Sequence, residues 1–422
     1  MRRAGRMTQK KKILLLSDHA LSTSGVGTQS RYLCMGLINT GKWTIRQFGA
    51  AVKHESYETV QAHEDLIIKP VDGFGTREML RLALASEKPD VLLLFTDPRF
   101  FIWVWEMEDE IHQVCPIAYN HLWDSCKFPP TYNKVLFDST DLLNCINYPT
   151  YEFLKQHYPE KTNFIPHSLP REIFYPLSEQ EQLLCRRALL RGRPDDTFVV
   201  LWVARNARRK QPGDVLWAWR MFLDKLQETH GHQKALLVMH TDPHDVEGPN
   251  LNHIIELFKL EKNVTFSNDK SSFNDMNKLY NASDTILTRS SAEGFGLPTL
   301  EAMYAGKPII ALKTGGLTRQ VVDHRDGSEN GVALPVELES LVGSQMVPYI
   351  VDDYVTNETV AKAILKMYDF GPEHRRELGL KAMKYAHDEF GIEKMIKSWD
   401  DSLTELTQNW RSRHRSWESI KL

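Results

Sequence analysis

The chain has 422 residues, 42% of them hydrophobic, a formal net charge of -3 and a mean hydropathy of -0.40. That length suffices for two cores, the balance is that of a globular protein, and the charge excludes a global field drawing the chain to nucleic acid or anionic membrane. No apolar run approaches membrane-spanning length. The five cysteines are scattered without a C-x-x-C pair, which reads as a reduced, cytoplasmic setting without structural zinc.

The basic opening, Met1 to Arg6, is followed by an apolar run, Ile13 to Leu16, too short for a signal peptide. It reads as a tail before the first strand, with Met7 an alternative start. Short apolar runs then alternate with helical patterns, which predicts parallel α/β units. In the first half the predicted strands are 13–17, 44–48, 66–69, 91–96, 116–120, 142–147 and 163–166. In the second half they are 198–204, 235–240, 264–267, 285–288, 308–312 and 331–334. The charged stretch 178–196 reads as the connection between two doubly wound domains. The predicted domains are therefore 7–177 and 178–390. A last segment, 391–422, places Ile392, Met395, Ile396, Trp399, Leu403, Leu406 and Trp410 on one helical stripe. It is expected to pack back across the domains. Contact with a membrane surface is the lesser reading, because Asp400, Asp401 and Glu405 make its polar face partly acidic.

Four elements could carry chemistry. The first follows the first strand: Ser22-Thr23-Ser24-Gly25-Val26-Gly27-Thr28-Gln29. Its glycines let the backbone approach a phosphate or sugar, but it lacks the third glycine and the acidic strand end of a dinucleotide fingerprint. The second is Pro116-Ile117-Ala118-Tyr119-Asn120-His121-Leu122-Trp123-Asp124, where His121 closes a strand; taken alone, such a histidine is more often structural. His167 has a similar reading and a stronger claim as an interdomain hinge residue. The third is Val203-Ala204-Arg205-Asn206-Ala207-Arg208-Arg209-Lys210-Gln211-Pro212. It leaves the end of a strand, where open α/β sheets bind ligands, and Arg205 and Lys210 could converge on one diphosphate.

The fourth is Glu293-Gly294-Phe295-Gly296-Leu297-Pro298-Thr299-Leu300-Glu301. Pro298 suits the first position of a helix, which would run through Glu301 and Tyr304 and end at Gly306. Its N-terminus opens onto loop 294–297, whose amides could hold an anion. Glu293 would stand at the mouth and Glu301 in the first turn. A positive helix end rimmed by carboxylates suits a ligand with phosphates and hydroxyls, as in a sugar nucleotide.

In this order and spacing the elements resemble the retaining glycosyltransferases of the GT-B fold, family 4 (glycosyl transferases group 1). The resemblance covers roughly residues 11–335. Its most specific part is the Glu-x7-Glu run within Ser291 to Pro308, led in by Leu279-Tyr280-Asn281-Ala282-Ser283-Asp284. The resemblance implies two Rossmann-like domains facing a central cleft. Residue by residue, it gives Glu293 the donor sugar's hydroxyls. Gly294, Phe295, Gly296 and Leu297 would present backbone amides to the sugar and distal phosphate, and Glu301 would hold the ribose. Arg205 and Lys210 match the family's diphosphate-binding pair, Gly27 its first-loop glycine, and His121 the histidine that touches the donor sugar. Two departures stand out. The family's Gly-Gly-x-x-Glu reads Gly315-Gly316-Leu317-Thr318-Arg319 here, and 336–354 looks like an insertion.

The function implied is a hexosyl or other glycosyl transfer, with retention of configuration, from a UDP- or GDP-linked sugar to a glycan, lipid, protein or nucleobase. No further cofactor and no metal are expected, since no Asp-x-Asp segment offers a metal bridge. Alternatives on the same fold are a sugar phosphorylase, a sugar-nucleotide epimerase, or a binding protein that no longer transfers.

Overall fold

A computed structural model of the chain describes residues 9–53, 55–123, 131–267 and 271–413, with side chains through 410. Met7, Asp124, Cys126 and the 268–269 loop tip lie outside the described residues. The chain divides into two compact units, one of residues 1–168 and 392–422, the other of residues 169–391.

In the first unit the sheet contains β1 (Lys11–Asp18), β2 (Trp43–Ala50), β3 (Val60–His63), β4 (Leu66–Pro70), β5 (Val91–Phe95), β6 (Ile117–His121), β7 (Leu142–Cys145) and β8 (Thr162–Phe164). The strand order is β3-β4-β2-β1-β5-β6-β7-β8. All neighbours are parallel except β3, an antiparallel edge on β4. β1 is buried on both faces at Ile13, Leu14, Leu15 and Leu16, as a strand covered by helices must be. Each apolar run predicted as a strand forms one. β3 was not anticipated, because Val-Gln-Ala-His is exposed and carries no core-facing alternation.

The second unit holds a six-stranded parallel sheet: β9 (Phe198–Val203), β10 (Ala235–His240), β11 (Val264–Phe266), β12 (Thr285–Thr288), β13 (Ile309–Leu312) and β14 (Gly331–Leu334). Its order is β11-β10-β9-β12-β13-β14. This is the doubly wound arrangement whose order reverses between the first and fourth strands, here β9 and β12. An antiparallel ribbon, β15 (Leu338–Val342) and β16 (Ile350–Tyr354), occupies the stretch read as an insertion. Its base is tied to the sheet loops: the Asp353 amide donates to Ser291 O at 2.7 Å, and Thr314 Oγ1 donates to the buried Asp353 carboxylate at 2.7 Å.

Residues 169–177 pack with the second unit, ahead of the expected start at 178. The amides of Tyr175 and Leu177 donate to Asn277 Oδ1 and Asn281 Oδ1 at 3.1 and 2.9 Å. The expected connection at 178–196 contains a helix, Glu179–Leu190, closed at its start by a Ser178–Glu181 capping box. The hinge assigned to His167 falls just before the passage at Ser168. His167 is buried, its ring 5.7 Å from Phe95.

The long C-terminal helix, Ile392–Arg413, belongs to the first unit. Its Met395, Trp399 and Leu403 join the core layer of Ile13, Leu15, Leu37 and Trp43. A side chain at Gly36 would place its Cβ 2.1 Å from Ile396 Cδ1, so Ile396 would have to shift to admit one. Asp400 accepts from Trp43 Nε1 at 2.7 Å and from Lys42 at 2.6 Å. The stripe considered for a membrane surface is therefore spent on the core. Among the described residues, no helix is long and apolar enough to cross a membrane. Trp399→Ala should destabilise the first unit by about 3–5 kcal/mol, read as an earlier urea transition of that unit. An unchanged midpoint would show that the helix is not part of its core.

Candidate active site

The reversal of strand order in the second unit sends the connections after β9 and β12 to opposite faces, leaving a crevice at their C-terminal edge. Both sequence motifs emerge there. After β9 the chain forms a single 3-10 turn, Arg208–Lys210, then enters the helix Pro212–His230 through Gln211, a non-glycine residue at φ +52°. Arg289, just beyond β12, holds that strained entry. It is buried, and its Nε donates to Gln211 Oε1 at 3.1 Å. Its other nitrogens reach Val355 O at 2.9 Å and Asn357.

The two loops are stitched together by backbone. The Ser291 amide donates to Arg209 O at 2.9 Å, and the Arg209 guanidinium donates to Ala292 O. This brings Lys210 onto Glu293 in a close ion pair whose side chains are 17% and 12% exposed, with Arg209 Nη1 3.6 Å from the same carboxylate. Burial alone would push the Glu293 carboxyl up. Lys210 and Arg209 outweigh it and hold the group below its ordinary value. Glu293 is thus ionised, and its Lys210 counter-ion sits where a ligand's phosphate could compete for it.

Arg205 does not join this cluster. It is 63% exposed and forks onto Asp245, in the loop after β10, at 2.6 and 3.1 Å. The structure does not bring Arg205 and Lys210 together: a carboxylate in reach of the Arg205 fork pairs with it. Arg209 takes the place beside Lys210 instead. In a run with four basic residues, linear spacing cannot tell which guanidinium turns inward.

The glycine loop is built as a backbone platform. Phe295 is buried and packs edge-on against Phe390 at 5.6 Å, so its ring faces the core. Gly296 adopts φ +91° and caps the helix Leu297–Tyr304, which has no side-chain cap. Behind the loop, the Gly316 amide donates to Glu293 O at 2.9 Å. A Cβ on Gly316 would lie 2.3 Å from Phe295 Cα, which explains the second glycine of Gly315-Gly316. Gln320 Nε2 donates to Phe295 O at 2.8 Å. Arg319, where the family has Glu, turns away to Glu389 at 3.2 Å.

Glu301 begins the second turn of its helix, because the helix starts at Leu297 with Pro298 in its second place. Expecting it in the first turn was an error of one register step. Its Oε2 accepts from Tyr280 Oη at 2.6 Å. Burial raises its carboxyl to about 7, the Tyr280 hydroxyl opposing. The Tyr280 contact could be read in outline from the lead-in, where Tyr280 precedes the motif.

In the first unit, the Gly27 amide donates to Ser24 Oγ at 3.0 Å, and a Cβ there would stand 2.0 Å from Ser22 Oγ. The loop's own closure therefore demands this glycine. Ser24 Oγ in turn donates to Asp18, at the end of β1, at 2.7 Å. His121 ends β6 but is fully covered, against Tyr119, Trp123 and Phe137, rather than open at a strand end. Burial lowers its pKa to about 3, so the ring is neutral. Its Nδ1 accepts from the Trp123 amide at 3.4 Å, which places the proton on Nε2, an atom with no partner among the described residues.

A family model described as Glycosyl transferases group 1 matches residues 191–341, the segment that carries Arg205, Lys210, Glu293 and Glu301. The segment 191–341 is thus similar to the glycosyl transferases group 1 family. One similar relative is the trehalose synthase of Pyrococcus horikoshii, 33% identical over 132 residues, which are 31% of this chain and 26% of that protein. The alignments span between 26% and 65% of the curated relatives first in rank. Solved structures share the GT-B fold over nearly the whole chain. Sucrose-phosphate synthase from Thermosynechococcus elongatus superposes with TM-score 0.72 at 19% identity, covering 94% of this chain and 100% of that one. HepE of Anabaena, in complex with UDP-glucose, gives 0.69 at 17% identity with the same coverages.

The Glu301 carboxyl has a consequence for stability. With a folded pKa of about 7 against an ordinary 4.5, the folded state binds the extra proton, so stability falls as pH rises from 4.5 to 7. The loss is up to about 3 kcal/mol, less what solvent reaching this partly exposed side chain restores. Glu301→Gln should flatten that part of a melting-temperature profile between pH 5 and 8. An unchanged slope would place the proton elsewhere.

Proposed function

We propose that the protein transfers a hexose from a nucleoside-diphosphate sugar to an acceptor hydroxyl, with retention of anomeric configuration and without a metal ion. The observation that carries this reading is the Lys210–Glu293–Arg209 cluster at the β9–β12 switch point, beside the uncapped start of the 297–304 helix.

A sugar nucleotide asks for two things at one place: cations for its diphosphate and a carboxylate for its hydroxyls. Lys210 and Arg209 supply the first and Glu293 the second. Arrival of the diphosphate would share the Lys210 charge and release Glu293 oxygens to the sugar. Arg205, now held by Asp245, is the further cation assigned to the diphosphate, and backbone of Gly294, Phe295, Gly296 and Leu297 the anion-facing platform. Glu301 takes the ribose hydroxyls, a role that favours its ionised form and so weakens as pH falls below about 7. Gly27 and His121, in the first unit, keep only the roles the resemblance implies; the His121 ring is covered and neutral, so it is not a proton-transferring acid.

In the reaction the anomeric C–O bond to phosphate breaks and its electron pair leaves on the diphosphate oxygen. The acceptor oxygen bonds to the anomeric carbon from the same face, and its proton passes to that departing oxygen. No protein nucleophile is required. The electrostatic demand falls on the leaving group, which the basic loop and the helix start meet. Retention follows from the family resemblance. A UDP- or GDP-linked donor is the choice to test first, and UDP-glucose is the ligand named for HepE.

A thermal-shift screen of UDP-, GDP-, ADP- and CDP-sugars should give stabilisation with one nucleotide class, unchanged by chelator and lost in Glu293→Ala. In a donor-turnover assay Lys210→Ala should lower kcat/KM by about 30- to 1000-fold, equivalent to about 2–4 kcal/mol. A near wild-type rate for Lys210→Ala, or no shift with any sugar nucleotide, would sink the assignment.

A further inference from the structure

A second basic cluster lies in the second unit at the opposite, N-terminal edge of the same sheet. Asp284 stands immediately before β12 and Pro308 immediately before β13. Here a cavity of about 420 Å³ is lined by Arg186, Lys307, Arg375 and Arg376, with only Asp284 and Glu179 to oppose them. Four cations against two carboxylates leave an excess of two positive charges. The volume falls within the range used by small-molecule sites.

The cations come from three separate segments: the helix Glu179–Leu190, the turn after Tyr304, and the helix Gly371–Glu389. Asp284 already serves two of them, Arg186 Nη2 at 2.9 Å and Arg375 Nη2 at 3.6 Å. Arg376 reaches Glu179 only at 3.6 Å and stays 64% exposed at the rim. Among the described residues Lys307 has no carboxylate within ion-pair range; its Nζ donates to Asn281 O at 3.0 Å. Burial pulls its pKa down to about 8. Arg375 is nine-tenths buried, and its Nε has no hydrogen-bond partner among the described residues. Its Nη1 is satisfied by Met367 O and Tyr368 O, and its guanidinium lies over the Phe198 ring at 5.0 Å, so the group is fixed.

Buried positive charge without a counter-ion is costly, and the usual remedies are proton loss or an anion. Guanidinium groups and an ammonium lining one cavity are the donor set that recognises a phosphoryl group. A phosphate monoester carries about -1.5 to -2 charge near neutrality, which matches the excess. We propose that this cavity is a second anion site, taking a small phosphate monoester of the sugar-phosphate class at the sheet edge remote from the donor loop. The 297–304 helix runs from the donor loop to the turn bearing Lys307, a rise of about 12 Å, so the two sites share one rigid element. The inference stands on this cavity alone, whether or not the donor reading holds.

The test is isothermal titration of the full chain with inorganic phosphate and with a hexose 6-phosphate, at ionic strength held constant with sodium chloride. Saturable binding of one equivalent of the hexose phosphate is expected, retained in Lys210→Ala and weakened at least tenfold in both Lys307→Met and Arg376→Glu. Arg376 is at the rim and its replacement leaves the fold intact, which melting of the variant verifies. Inorganic phosphate binding as tightly as the ester would support a site for the phosphoryl group itself. Absence of saturable binding, or binding lost in Lys210→Ala and kept in the two cavity variants, would overturn the proposal.

Discussion

An ammonium and a carboxylate held between two neighbouring strand ends govern the second unit. At the point where strand order reverses, no helix closes the sheet edge, and the loops after β9 and β12 must cover it with their own polar groups. Glu293 in that position would be intolerable alone. Lys210 and Arg209 make it tolerable, and the price is a set of struts that fix both loops: Arg289 beneath Gln211, the Ser291–Arg209 backbone bond, Gly316 and Gln320 behind Phe295, and Asp353 at the ribbon's base. The result is a preorganised ion pair that a charged ligand can exchange into without rebuilding the loops.

The same sheet carries basic groups at both edges, but they are arranged differently. At the C-terminal edge Lys210 and Arg209 share the Glu293 carboxylate. At the N-terminal edge the carboxylates are outnumbered, and one lysine relies on a carbonyl. Glu301 lies between, on the helix that joins the edges, and its bond to Tyr280 ties that helix to the helix Phe273–Ala282. Movement of Lys307 would therefore be felt by the element that presents the ribose-side carboxylate.

Much of this was legible because it depends on local rules. Apolar runs bounded by polar segments gave the parallel strands, and Pro298 and Gly306 bracketed a helix by their backbone chemistry. Glu293 was found because its glycine-bracketed context is rare. What was not legible depends on contacts distant in sequence. Arg289 reads as an ordinary polar residue after a strand until Val355 O, 66 positions on, closes over it. Arg205 and Arg209 have the same chemistry, and only Asp245 decides which is drawn outward. The turn that holds Glu301 differs because helix starts read from sequence are uncertain by a residue or two. The cover over His121 comes from rings on neighbouring segments, which no strand-end argument reveals.

The C-terminal helix has an implication for synthesis. The first unit's sheet leaves the ribosome early, yet the layer that seals Trp43 and Leu37 includes Met395, Trp399 and Leu403. The whole second unit must be translated before those side chains appear. Through that interval the nascent first unit presents an open apolar face, a natural handle for a chaperone, and its final closure is set by the clock of elongation rather than by its own folding rate.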